Sequence, residues 1–174
     1  YANLTDIKNG MDQEGEEVAT GAHNLADVIL RQDDDLIKAE KLARESLRIR
    51  TRLFCSNNGR IGTSCMLLAQ ILRNQGKIGD ELKELLERSL AIYVLNEELD
   101  GPDTAGGNIA IGQFHYKLAM IQSVIGIKRT QLLLAKSYAE EAVRIVTKIH
   151  NPTHPNSVAA ASVLSDILRE LSTV

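Results

Sequence analysis

Aromatic residues are scarce in this chain: no Trp, four Tyr and two Phe among 174 residues, 3% in all. A surface that stacks nucleic-acid bases interleaves aromatics with basic side chains, and this composition offers few. Two cysteines, Cys55 and Cys65, are too few for a disulfide scaffold. They fit a reducing compartment, and their spacing matches no zinc site. Charge of one sign is also lacking. A net charge of −3 gives no electrostatic reason to expect nucleic acid or a membrane surface as partner. No apolar run approaches the roughly 18–20 residues that would cross a bilayer. A leader pattern is absent and the first residue is Tyr1, so the chain reads as a piece of something longer. The triplet Asn3-Leu4-Thr5 matches a glycosylation acceptor, a pattern common by chance. The expected setting is cytoplasmic.

What remains, 44% hydrophobic and 25% charged residues, is ordinary for one globular domain. Its order is repetitive. "HNLADVIL" (23–30), "LLAQILRN" (67–74), "YKLAMIQS" (116–123) and "VLSDILRE" (163–170) share Leu followed by Ala or Ser, with an aliphatic two positions on. The anchor leucines Leu25, Leu68, Leu118 and Leu164 are spaced 43, 50 and 46. A second motif alternates with the first: "RESLRI" (44–49), "ERSLAI" (87–92) and "EEAVRI" (140–145), anchored at Leu47, Leu90 and Val143. Two interleaved motifs at a period near 43 describe a two-element unit stacked about three and a half times.

Both elements read as helices. Val18, Ala22, Leu25, Ala26 and Ile29 lie on one face of a 3.6-residue period. Leu82, Leu85, Leu86, Ser89, Leu90 and Tyr93 do the same in a second-motif helix. The residue after each anchor (Ala26, Ala69, Ala119, Ser165) is small enough for a neighbouring helix to approach. Gly76 in "NQGK" suits a helix end that needs a left-handed residue. "QDDD" (32–35) supplies capping acids. Pro102, Pro152 and Pro155 fall in turns from a second helix to the next first helix, where proline ends the outgoing helix. Ser157 is then placed to cap the incoming one. The fold class is all-α, with seven or more helices and all four anchors buried.

The surplus between Leu90 and Leu118, 28 residues against 21 for Leu47–Leu68 and Val143–Leu164, amounts to about one turn on each side of Pro102. It predicts that the helices ending near Leu99 and starting near Thr104 are each lengthened into a projecting hairpin.

Helix-turn-helix units of this length with Leu-Ala in the first helix resemble tetratricopeptide (TPR) repeats of the kinesin light chain type. The turns "NPTHPNSVA" (151–159) and, more loosely, "DGPDTA" (100–105) are similar to that family's Gly-Pro-Asp-His-Pro-Asp turn. "NQGKIGDELKELLERSLAIY" (74–93) is similar to its Gly-Lys turn and second helix. Two departures stand out. "CSNNGR" (55–60) has lost the proline, and the Asn-Asn before Leu-Ala survives only as Asn24. The resemblance implies a right-handed α-solenoid of antiparallel helix pairs over residues 14–174. Residues 1–13 then form a lead-in, the units span about 14–59, 60–103 and 104–155, and 156–174 is a last helix.

Residues that could carry chemistry form no catalytic pattern. His150 and His154 are four apart but straddle Pro152 and lack an acidic or thiol partner nearby, as turn residues would. "GGNIAIG" (106–112) has loop-like glycines without the Lys-Ser/Thr or the preceding strand of a phosphate cradle. Arg44, Arg48 and Arg52 recur every four residues. Glu40 one turn before Arg44 makes a solvated ion-paired face the better reading. No Ser-His-Asp, Cys-His or paired-carboxylate arrangement stands out, so no enzyme, cofactor or metal is expected.

The resemblance implies that first helices line a concave surface. Positions two before, two after and five or six after each anchor then face a groove. They are His23, Asp27 and Arg31, with Asn24 adjacent, in the first unit. Met66, Gln70, Arg73 and Asn74 follow in the second, and Tyr116, Met120 and Ser123, with Lys117 adjacent, in the third. Ser162, Asp166 and Arg169 close the set. Met and Tyr mixed with a basic residue per unit suit a peptide with apolar anchors. The Lys/Asn clamp by which some TPR domains hold chaperone tails is not recognisable. The expected function is a non-enzymatic adaptor or scaffold that binds a protein segment. The alternative is a structural spacer within a larger chain or complex, contacting neighbours through turns and ends.

Overall fold

A computed structural model describes residues 4–32, 35–97, 102–121 and 125–174. Among the described residues there are seven helices and no strand: α1 (Leu4–Gln32), α2 (Leu36–Leu53), α3 (Gly59–Asn74), α4 (Asp80–Glu97), α5 (Pro102–Ile121), α6 (Ile125–Ile149) and α7 (Pro155–Leu171). They form two compact units, Tyr1–Lys77 and Ile78–Val174. In the first, α2 packs on α1 and α3, and α1 touches α3. In the second, α5 packs on α4 and α6, α6 packs on α7, and α5 touches α7. The proposed boundary at residue 13 falls inside α1, which is continuous from Leu4.

Local chemistry sets the helix ends. The Asp35 carboxylate accepts the Lys38 N–H at 3.0 Å and starts α2. Where the first turn lacks proline, the Asn58 side chain accepts the Arg60 N–H at 2.9 Å and starts α3. Gly76, with φ of 74°, closes α3 while Lys77 N–H reaches back to the Leu72 carbonyl at 2.9 Å. At α7 the cap is His154 rather than Ser157: its Nδ1 accepts the Asn156 N–H at 3.2 Å, and Pro155 occupies the first turn. Ser157 lies inside the helix, buried, and its Oγ has no partner.

Packing revises the register in the third unit. Leu68 is buried, but Leu118 and Leu164 are only half-buried, and Leu25 is exposed. α3 and α7 each begin nine residues before Leu68 and Leu164, and the residue nine after Pro102 is Ile111. Ile111 is buried and Gly112 follows it, where a Cβ would lie 3.3 Å from the Ala135 carbonyl oxygen on α6. Ile111-Gly112 therefore fills the role that the letters Leu118-Ala119 suggested, an aliphatic anchor plus a small residue that admits the next helix. With that anchor, Leu47–Leu68, Leu90–Ile111 and Val143–Leu164 are all 21 residues.

The surplus moves accordingly. Leu25–Leu47 and Leu68–Leu90 span 22 residues and Ile111–Val143 spans 32. The extra turns belong to the α5–α6 hairpin, not to the segment around Pro102. α6 has 25 residues against 18 in α2 and in α4, and α5 has 20 against 16 in α3. α4 shows no added turn up to Glu97, and Leu99 lies outside the described residues. The lengthened start of α6 reaches the end of α7 through Lys128–Glu170 at 3.4 Å and Arg129 Nη1 donating to the Val174 oxygen at 2.7 Å.

The corrected register exposes two recurring stripes. One lies six before, one after and four after each anchor: Ala19, Ala26 and Ile29; Gly62, Ala69 and Leu72; Ala105, Gly112 and His115. These are buried on α1, α3 and α5, each of which is followed by a second helix. On α7 the same positions, Val158, Ser165 and Leu168, are exposed. The other stripe lies seven before, at and three after the anchor. Ile61, Leu68, Ile71, Ile111 and Phe114 are at most 2% exposed there.

Candidate protein-binding faces

In the first unit the candidate side chains sit on two helices that touch, α1 and α3. Asp27 and Arg31 pair along α1 at 2.8 Å, and Asn24 is exposed beside them. His23 is half-buried and its Nδ1 has no partner. Burial, and then the Arg50 charge, hold its imidazole below the ordinary value, against the opposing pull of Asp27 and Glu16. On α3, Met66, Gln70 and Arg73 are half-buried and Asn74 is exposed. Burial lowers the Arg73 guanidinium from its ordinary value.

In the second unit the corresponding face lies on α5 and α7, which also touch. Tyr116 is less available than expected, being half-buried and packed against the core cluster that contains Ala119, Leu132 and Ile167. Lys117 and Met120 are exposed. With Ile111 as anchor, Met120 lies nine residues beyond it, in the added turn. Ile109 and Gln113 take the positions two before and two after the anchor, which the Leu118 register missed. On α7, Ser162 is exposed and Asp166 pairs with Arg169 at 2.8 Å. Ser123 lies outside the described residues.

A polar cluster around Arg50 joins α2 to α1 and α3. Arg50 is 5% exposed. It donates to Ser64 Oγ at 3.0 Å, the Arg60 carbonyl at 3.3 Å and Thr20 Oγ1 at 3.2 Å. The Glu16 carboxylate lies 3.7 Å from Arg50 and 3.3 Å from Arg60. Its sequence signal is the spacing Ala39, Ala43, Ser46, Arg50 on the inner face of α2. By contrast, Arg44 pairs with Glu40 at 2.9 Å, Arg48 pairs with Glu45 at 2.6 Å, and Arg52 is exposed, as a solvated face requires.

Chemistry of other kinds finds little support among the described residues. His150 and His154 stack with ring centroids 3.7 Å apart and planes 5° from parallel, so their nitrogens do not converge on one ion. No group of three or more His, Cys, Asp or Glu there could hold a metal. The glycines of residues 106–112 lie within α5. Neither cysteine is in a disulfide; Cys65 is buried and Cys55 exposed. No helix among the described residues is long and apolar enough to cross a membrane.

No protein-family model and no curated protein matches the chain. Solved structures do. The crystal structure of a Podosopora anserina protein designated a kinesin light chain, with nearly identical TPR-like repeats, matches at a TM-score of 0.72 and 19% identity. A variant form of those repeats matches at 0.73 and 18%. Each alignment covers 88% of this chain and 68% of the other. The chain therefore has the all-α, TPR-like helical-repeat fold.

Proposed function

We propose that this chain is a non-enzymatic protein-interaction module whose first helices hold a segment of a partner protein. The observation that carries this reading is the half-exposed strip on each touching pair of first helices: His23, Asp27, Gln70 and Arg73 in one unit, Gln113, Tyr116 and Asp166, with exposed Arg169 beside them, in the other. Such strips offer apolar contact and oriented hydrogen-bonding groups on rigid helices, which suits an extended segment. Charge from Arg73 and Lys117 adds attraction that weakens as salt rises. The test is affinity capture with the intact chain, a Tyr116→Ala/Arg73→Ala variant and an Arg44→Ala/Arg48→Ala variant. Partners should be lost with the first pair and kept with the second. Loss with the outer arginines alone would reject the first-helix reading.

A further inference from the structure

Glu16, Thr20, His23 and Asp27 recur at helical spacing on one face of α1. Thr20 and Glu16 on this face meet Arg50 of α2, and Glu16 also meets Arg60 of α3. Both carboxylates are committed. Asp27 pairs with Arg31 at 2.8 Å, and Glu16 lies 3.7 Å from Arg50 and 3.3 Å from Arg60. Two anions thus stand among three guanidiniums before His23 carries any charge, and Arg73 adds a further cation along the strip on α3. His23 is half-buried. Its Nδ1 and the Nε of Arg50 are both buried without a partner.

We propose that His23 is a proton-sensitive catch for α1: neutral, it lets the helix lie against the Arg50 cluster, and protonated it loosens residues 15–32 from α2 and α3. An imidazolium donates from both ring nitrogens. At His23 one of these would be a buried Nδ1–H without an acceptor, and the added charge would widen the excess of cations around Arg50. The direction of titration agrees. Burial, and then the Arg50 charge, hold the imidazole below its ordinary 6.5, against the smaller pulls of Asp27 and Glu16. The unfolded chain therefore binds the proton first. The stabilisation is complete above about 6.5 and is lost as pH falls toward the folded-state value. Asp27 and Arg31 ride on the same helix, so acidification also takes the first-unit strip apart. The device belongs to the packing of the first unit and stands whatever the strip binds.

The test is hydrogen exchange on the full 174-residue chain, followed from about pH 7.5 to about pH 5.5, where an ordinary imidazole takes up its proton. Protection factors, corrected for the pH dependence of exchange itself, should fall for residues 15–32 in the parent chain and stay level in His23→Gln. An NMR titration of the His23 ring in the parent chain gives the sign independently of any variant. The ring should take its proton at lower pH in the folded chain than in the urea-unfolded one. Glu16 Oε2 also has no partner, and an imidazolium that reached it would titrate higher when folded and tighten α1 in acid. Titration at or above the unfolded value overturns the proposal. So does level protection in the parent chain, or an equal fall in His23→Gln.

Discussion

Arg50 occupies a place where α2 otherwise sets Ala39, Ala43 and Ser46 against its neighbours. Taking a guanidinium out of water costs several kcal/mol unless its donors are satisfied. Here two hydroxyls and a carbonyl take hydrogen bonds from its two Nη groups and the Glu16 carboxylate lies 3.7 Å away, while Nε has no partner. The apolar period of α2 marks this inner position, whereas Arg44, Arg48 and Arg52, spaced one turn apart, lie on its exposed face. Glu40 shows the complementary case at the surface. Desolvation opposes its charge, yet hydrogen bonds from Lys77, Arg44 and Gln75 and the Lys77 charge hold the carboxyl down to about 2, from an ordinary 4.5. A folded-state value below the unfolded one means that the unfolded chain binds the proton first. The stabilisation is therefore complete above about 4.5 and is lost as pH falls toward 2. Urea midpoints should drop less steeply across that window in Glu40→Gln than in the parent chain. Identical slopes would contradict the assignment.

Among the helices, α5 was the hardest to read. Its letters offer Leu118-Ala119 as anchor, while its packing uses Ile111-Gly112, because glycine admits α6 more closely than alanine does. Pattern matching on residue type fails where a different residue meets the same steric demand. The spacing of 21 residues, shared by three junctions once Ile111 is chosen, was the signal that could have found it. The glycines of α5 also separate by role. Gly106 is exposed and a Cβ there would meet nothing within 4 Å, whereas one at Gly112 would press on backbone of α6. Gly106→Ala should therefore raise stability by about 0.5–1 kcal/mol by removing backbone freedom from the unfolded chain. Gly112→Ala should lower it. Melting temperatures that shift in the same direction for both would refute this division.

At the scale of the chain, the all-α fold and the two-helix repeat were legible because hydrophobic period and turn chemistry agree over most of the sequence. Burial at the terminal helices was not. Periodicity shows which face of a helix is apolar and not whether a neighbour covers it. Leu25 and Leu68 carry the same local pattern, but among the described residues a second helix, α2, packs before α3 and Leu68 is buried, while Leu25 on α1 is exposed. The candidate face was legible in part. The residues on α1, α3 and α7 keep their register, while Ile109 and Gln113 emerge only with the corrected anchor. Equivalent stripe positions are buried on α3 and α5, each of which packs on a preceding second helix, and exposed on α1. Native-state thiol labelling tests this contrast most directly, in chains with Cys55 and Cys65 replaced and one new cysteine each at Leu25, Leu68 or Ile111. Leu25→Cys should react at close to the rate of an unfolded control, and Leu68→Cys and Ile111→Cys should be strongly protected. Equal protection at Leu25 and Leu68, or free reaction at Ile111, would contradict the account.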